Sequence, residues 1–143
     1  MLKDNLAMLR RIHGYSQEEI AEKIGISRQA YSKWELGQTI PDVEKCSLLA
    51  EVYGTTVDSL IRTKETEGIG MVPPAPKGKN IWGSVTINDR GQIVIPKEAR
   101  NLFSLTGGQR LIVVSDETGI ALVPAEAFEE NMRRAMEMIR QEK

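Results

Sequence analysis

An all-α domain followed by a small, mostly β domain is the architecture that the 143-residue sequence predicts, and three observations predict it. From Leu2 to Arg62 apolar residues recur at helical spacing between turn signals, with no convincing period-two alternation. Residues 63–80, TKETEGIGMVPPAPKGKN, are rich in Gly, Pro and Lys and lack apolar periodicity, as a linker does. Beyond them SVTIN and QIVI flank the turn DRG, and RLIVVS and IALV flank DETG, which makes two hairpin candidates. The expected boundaries are residues 1–62 for the helical domain, 63–80 for a flexible linker, 81–124 for the β domain and 125–143 for a terminal helix.

Composition narrows the function classes. Hydrophobic residues at 41% and charged residues at 27% are ordinary for a globular chain. The single cysteine, Cys46, has no disulfide partner, and with one histidine, His13, there is no Cys/His set for a structural metal. Neither a metal nor any other cofactor is therefore expected. One His, one Cys expected to be buried, no paired acids and no phosphate loop supply no catalytic site, so the chain reads as a non-enzyme. The N-terminus MLKDNLAMLRRIHG is amphipathic without a signal-like core, and no run of about 18 apolar residues occurs. A cytoplasmic protein with no membrane partner is the expectation. The net charge of −1 gives no overall basic signature, so any nucleic-acid binding must concentrate its positive charge locally.

In the helical half, SQEEIAEKIG starts with Ser16 and carries Glu19 three residues later, a capping box that satisfies helix-start amides from both directions. Gly25 supplies a residue tolerant of positive φ where that helix must stop. Only Gly25 and Ile26 separate it from Ser27, the cap of a second helix, so the two cannot lie antiparallel and form a helix-turn-helix. Ile20, Ala21 and Ile24 face inward on the first helix, and Tyr31 and Trp34 on the second. Arg28, Gln29, Ser32 and Lys33 share the opposite flank. Glutamine can pair bidentately with adenine, and Arg or Lys with guanine, each good pair giving roughly 1–3 kcal/mol of discrimination. Gln17 and Ser27 stand at helix starts, where outward amides attract a phosphate oxygen, and would position the protein. Asp42 and Thr56 read as caps of two further helices, Cys46 as a small buried hydrophobe and His13 as a helix-end residue.

The stretch SQEEIAEKIGISRQAYSKWELGQTIPD resembles the Xre/Cro family of lambda-repressor-like DNA-binding domains, a likeness that covers roughly residues 2–62. The resemblance implies a five-helix domain whose third helix, residues 28–36, enters the major groove. It implies base- or phosphate-reading slots at Arg28, Gln29 and Lys33 with Ser32 beside them, a phosphate-contacting Gln17, and an internal Arg10–Glu35 ion pair. Eight basic residues stand against nine carboxylates in residues 1–62. One copy gains little from counterion release, so tight binding demands two.

Four short strands and one helix beginning near Pro96 make a unit so small that oligomerisation is needed to bury Val85, Ile87, Ile93, Ile95, Val113, Ile120 and Leu122. Two copies exchanging hairpins would close their sheet edges into a barrel and give a twofold homodimer. SVTINDRGQIVIPKEARNLFSLTGGQRLIVV resembles the AbrB/SpoVT/MazE family of swapped-hairpin domains, with GQIVIPKEAR the most specific part, and implies that intertwined dimer. AbrB-like members bind DNA through several arginines. Here Gln92 follows Gly91 and Asn101 follows Arg100, so Arg100 is the arginine that matches, with Arg90 and Lys97 as further candidates for auxiliary DNA contact. On the terminal helix Phe128, Met132, Ala135, Met136 and Ile139 recur at helical spacing, a face for packing within the dimer or for a partner.

Together these readings describe a bacterial-type, sequence-specific transcription regulator, most often a repressor in such families. It would act as a homodimer on an inverted repeat of double-stranded DNA. The alternative is an antitoxin-like autoregulator that holds a toxin or another protein through its C-terminal region; a small effector is a third class of partner that sequence leaves open.

Overall fold

The computed structural model describes residues 1–142, which divide into two compact units, Met1–Thr86 and the chain from Ile87 onward. The first holds five helices: α1 Leu2–Ile12, α2 Gln17–Ile24, α3 Arg28–Glu35, α4 Val43–Val52 and α5 Val57–Arg62. Four of them start where a side chain can accept an orphan amide. Ser16 caps α2, Ser27 caps α3, Asp42 accepts from Lys45 N at 2.8 Å and Thr56 accepts from Ser59 N at 3.0 Å. Each such cap is worth about 1 kcal/mol. Leu6, Ile20, Tyr31, Leu49 and Leu60, one from each helix, are fully buried, so every helix contributes to a single core. Cys46 is buried and donates from Sγ to Pro41 O at 3.8 Å, and burial pushes its thiol up. His13 caps the end of α1, with Nδ1 2.9 Å from Leu9 O.

Two polar residues inside this unit tie it to the chain that follows. Asn5 is 1% exposed, and its Nδ2 donates to Leu60 O at 2.8 Å and Thr63 O at 2.9 Å, closing the end of α5 onto α1. Thr55 donates from Oγ1 to Ala75 O at 2.7 Å, and Lys77 N donates to Gly54 O at 2.8 Å. Between these anchors Thr66 and Gly70 exchange backbone bonds of 2.9 and 2.8 Å, and Pro74 is buried.

The second unit contains α6 Lys97–Leu102, an antiparallel pair β1 Leu111–Ser115 and β2 Ile120–Pro124, and α7 Ala125–Gln141. Leu111 faces Pro124 and Ser115 faces Ile120, and the Asp116 carboxylate closes the turn by accepting from Thr118 N at 2.8 Å and Gly119 N at 3.1 Å. The later hairpin, the helix after Pro96 and the terminal helix thus stand where the sequence puts them. The earlier hairpin does not. Among the described residues SVTIN and QIVI form no strand, and their pairing shrinks to the turn, where Asn88 N donates to Gln92 O at 3.1 Å. The sheet has two strands instead of four, and no barrel closes within one chain. A lone two-stranded sheet has no second face to cover its side chains. Ile120 is accordingly 75% exposed, Ile87 and Val113 are 64% exposed, Val85, Ile93 and Leu122 are also exposed, and Ile95 is half-buried. Of the α7 apolar face, Phe128 is half-buried, whereas Met132, Ala135, Met136 and Ile139 are exposed.

Candidate nucleic-acid interface

The first unit presents one helix edge whose placement is over-determined. At the start of α2, Ser16 N donates to Glu19 Oε2 at 3.0 Å and Glu19 N donates to Ser16 Oγ at 3.1 Å, so both halves of the capping box form. At its end Gly25 adopts φ +74°, ψ +35°, and Ile26 N reaches back to Ala21 O at 3.0 Å. That left-handed residue costs other side chains about 1–2 kcal/mol, which is why glycine stands at the bend. Two residues later the Ser27 hydroxyl accepts from Ala30 N at 3.1 Å and α3 begins. Its inner side is anchored by Tyr31, fully buried, and Trp34, 8% exposed, whose rings meet edge to face at 5.8 Å. The Tyr31 hydroxyl lies 3.3 Å from that of Tyr53; burial raises both phenols, Tyr53 to about 12, so both stay protonated and serve as packing groups.

A polar clamp holds the far end of α3. The Glu35 carboxylate receives Arg10 through Nε at 2.6 Å and Nη2 at 3.0 Å, and Gln17 Nε2 at 3.0 Å, while Arg10 Nη1 donates to Tyr15 O at 3.1 Å. The ion pair is 14% and 8% exposed on its two sides. Burial alone would raise the Glu35 carboxyl, but donors from Arg10, Gln17 and Tyr31 outweigh it and hold it below the usual carboxylate range; Glu35 in turn raises Arg10. One carboxylate on α3 therefore grips α1 and α2 at once, and the expected Arg10–Glu35 pair is present.

What α3 turns outward is Arg28, Gln29 and Lys33, all exposed, with Ser32 partly exposed among them. Among the described residues no ion pair engages Arg28 or Lys33. Gln17 is half-buried and spends one amide hydrogen on Glu35, leaving its second hydrogen and its oxygen. The Ser27 oxygen accepts the cap bond, and its hydroxyl hydrogen is free to turn toward an acceptor. Arg90, Lys97 and Arg100 lie in the second unit, all exposed, and Arg100 Nε donates to Ile95 O at 3.0 Å. Missed from sequence were Asn5 and Thr55, whose bonds to Thr63 and Ala75 span 58 and 20 residues and leave no local spacing signal.

Two helices at a glycine bend, the second bearing an outward edge of bidentate donors, define a helix-turn-helix. Comparison with known proteins agrees: residues 6–60 match the family model described as Helix-turn-helix, and residues 85–129 match "Antidote-toxin recognition MazE, bacterial antitoxin". The chain carries an Xre-like helix-turn-helix domain at its N-terminus and a MazE/AbrB-like antitoxin domain at its C-terminus. It is similar to the SPbeta prophage-derived HTH-type transcriptional regulator YonR of Bacillus subtilis, 36% identical over 43% of this chain and 57% of that one. The HTH-type transcriptional regulator AnsR of Bacillus subtilis is 28% identical over 76% of this chain and 93% of its own. The cryptic phage CTXphi transcriptional repressor RstR of Vibrio cholerae is 32% identical over 46% of this chain and 60% of its own. This chain thus spans little more than half the length of YonR and RstR. No helix among the described residues is long and apolar enough to cross a membrane.

Proposed function

We propose that the chain is a DNA-binding transcription regulator, a repressor in its simplest mode, that acts as a homodimer on an inverted repeat. The observation that carries this reading is the exposed Arg28–Gln29–Ser32–Lys33 edge on a helix whose other side is locked by Tyr31, Trp34 and the Glu35 clamp. A helix so held is preorganised to enter a major groove, with Gln29 and the two cations addressing base edges and Gln17 and Ser27 the phosphates. The second unit, with Val85 just before it, supplies the dimer: Val85, Ile87, Ile93, Val113, Ile120 and Leu122, exposed in one chain, are the surface that two exchanged hairpins would bury. Joining two heads raises the effective concentration of the second half-site once the first is filled. Arg90, Lys97 and Arg100 would add contacts to the flanking backbone. Selection from a random duplex pool, with sedimentation of the free protein, tests the reading. A dimer that enriches an inverted repeat supports it; a monomer, or no enriched sequence, refutes it.

A second reading has its own observation. Residues 85–129 match an antitoxin model, and the exposed Met132, Met136 and Ile139 of α7 form an adaptable apolar face. An antitoxin-like autoregulator would neutralise the product of an adjacent toxic reading frame, and would fail to do so once residues 125–143 are removed. Unchanged toxicity in the presence of the full chain removes this alternative.

A further inference from the structure

The stretch between the two domains is bound to the helical unit over most of its length. It leaves α5 at Thr63, whose carbonyl accepts from the buried Asn5 at 2.9 Å. It then makes the closed Thr66–Gly70 turn, in which Gly68 has φ +78°. That backbone angle favours glycine, and a Cβ at Gly68 would also displace the neighbouring Ser84 hydroxyl. Pro73, Pro74 and Pro76 follow; they confine themselves and the residues before them to extended conformations, which stiffens the segment. Pro74 is buried, and the segment is fixed again at Ala75 O by Thr55 Oγ1 at 2.7 Å and at Lys77 N by Gly54 O at 2.8 Å. Thr55 is itself 5% exposed, so its hydroxyl has no competing water and an unmade bond there would be costly.

We infer that residues 63–77 are a strap that sets the permitted spacing between operator half-sites, a reading that rests on the DNA-binding function proposed above. A free tether of residues 63–80 would reach roughly 60 Å per chain at about 3.4 Å per residue, enough to span almost any arrangement of two half-sites. With the strap seated, only residues 78–86, themselves counted within the first unit, lie between its last anchor at Lys77 and the second unit, and even fully extended they reach at most about 30 Å. Half-sites one turn of duplex apart lie about 34–36 Å from each other, and each inserted base pair both lengthens and rotates that vector. Two short tethers leaving a common dimer tolerate few such insertions, whereas two long ones average over many. The residues that choose the operator's spacing are on this view Thr55, Gly68 and Pro74, none of which belongs to the α3 reading edge.

The test uses the full chain, duplexes carrying two copies of the selected half-site with zero to ten base pairs inserted between them, and a duplex with one half-site. The wild type should lose about tenfold or more in affinity away from its preferred spacing. Thr55→Val, which keeps shape but removes the donor, and Pro74→Gly should flatten that profile to within about threefold and leave affinity for the single half-site unchanged. Amide hydrogen exchange of the wild type at Lys77 gives a reading that needs no DNA: protection well above coil rates is expected. Coil-like exchange at Lys77, or spacing profiles identical in wild type and both variants, overturns the strap. Protection at Lys77 in a protein that binds no duplex would instead sink the DNA-binding reading, and with it the assignment of spacing control, while leaving the strap's attachment in place.

Discussion

Replacing Glu35 by Gln keeps the side chain's shape and removes its charge, which isolates what the clamp on α3 contributes. Arg10 would then face an amide with one acceptor oxygen in place of a carboxylate that now takes Nε at 2.6 Å and Nη2 at 3.0 Å, and Gln17 would lose its acceptor. Stripping one partner from a fully buried pair costs about 3–5 kcal/mol, because the other charge is stranded. With 14% exposure left on Arg10, some water can reach it, and about 2–4 kcal/mol is the expected loss. For a helical unit of this size, at about 4–8 °C per kcal/mol, that lowers Tm by about 10–30 °C. Trp34, 8% exposed, reports the unfolding by fluorescence in a Trp82→Phe background, since these are the two tryptophans of the chain. The pH dependence has a definite sign. Glu35 titrates lower in the folded protein than its ordinary value of 4.5, so its contribution is fully present above that value and is lost as pH falls through the folded pKa. The gap between wild type and Glu35→Gln should be constant above about pH 5.5 and should close in acid. The double variant Arg10→Met/Glu35→Leu should recover most of the loss, as apolar replacements of buried pairs do. A Tm change under about 3 °C for Glu35→Gln, or a gap that widens in acid, would refute the reasoning.

Other expected outcomes concern the bend, the reading edge and the dimer. Gly25→Ala should cost about 1–2 kcal/mol by denaturant titration, since φ +74° strains any residue with a Cβ; Ile24→Val, deleting one core methylene, should cost about 0.5–1.5 kcal/mol. Gln29→Ala should relax preference at one position per half-site by about 1–3 kcal/mol in competition binding, whereas Gln17→Ala should weaken specific and random duplex alike. Removing residues 87–143 should leave a monomer by sedimentation, with α1–α5 still folded and operator affinity reduced by about 100-fold or more.

How far the sequence could be read depended on the range of the interactions. Ser16, Glu19, Gly25 and Ser27 act within four residues of themselves, so their spacing alone spelled out the bend and both helix starts. The DETG turn was equally visible because Asp116 serves amides only two and three residues away. The earlier hairpin illustrates the opposite case. Alternation in SVTIN and QIVI records which side chains seek burial, but a ladder exists only where a second strand lies alongside, and within one chain those residues keep only the turn bonds. The segment around Pro73–Pro76 read as linker because Gly and Pro carry no periodicity. Its seat on Gly54 and Thr55 depends on contacts about 20 residues away, which composition does not encode. For the interface, the outward flank of α3 followed from helical geometry, but the sharing of Glu35 between Arg10 and Gln17 needed coordinates.

The central claim, that the outward edge of α3 reads a duplex twice, is tested most directly by placing a photo-crosslinking residue at position 29 and, as a control, at exposed position 126 on α7. With the selected operator, the account predicts crosslinks from position 29 to bases at two symmetry-related sites, and none to bases from position 126. Crosslinks confined to position 126, or labelling of a single half-site at saturating protein, would contradict it.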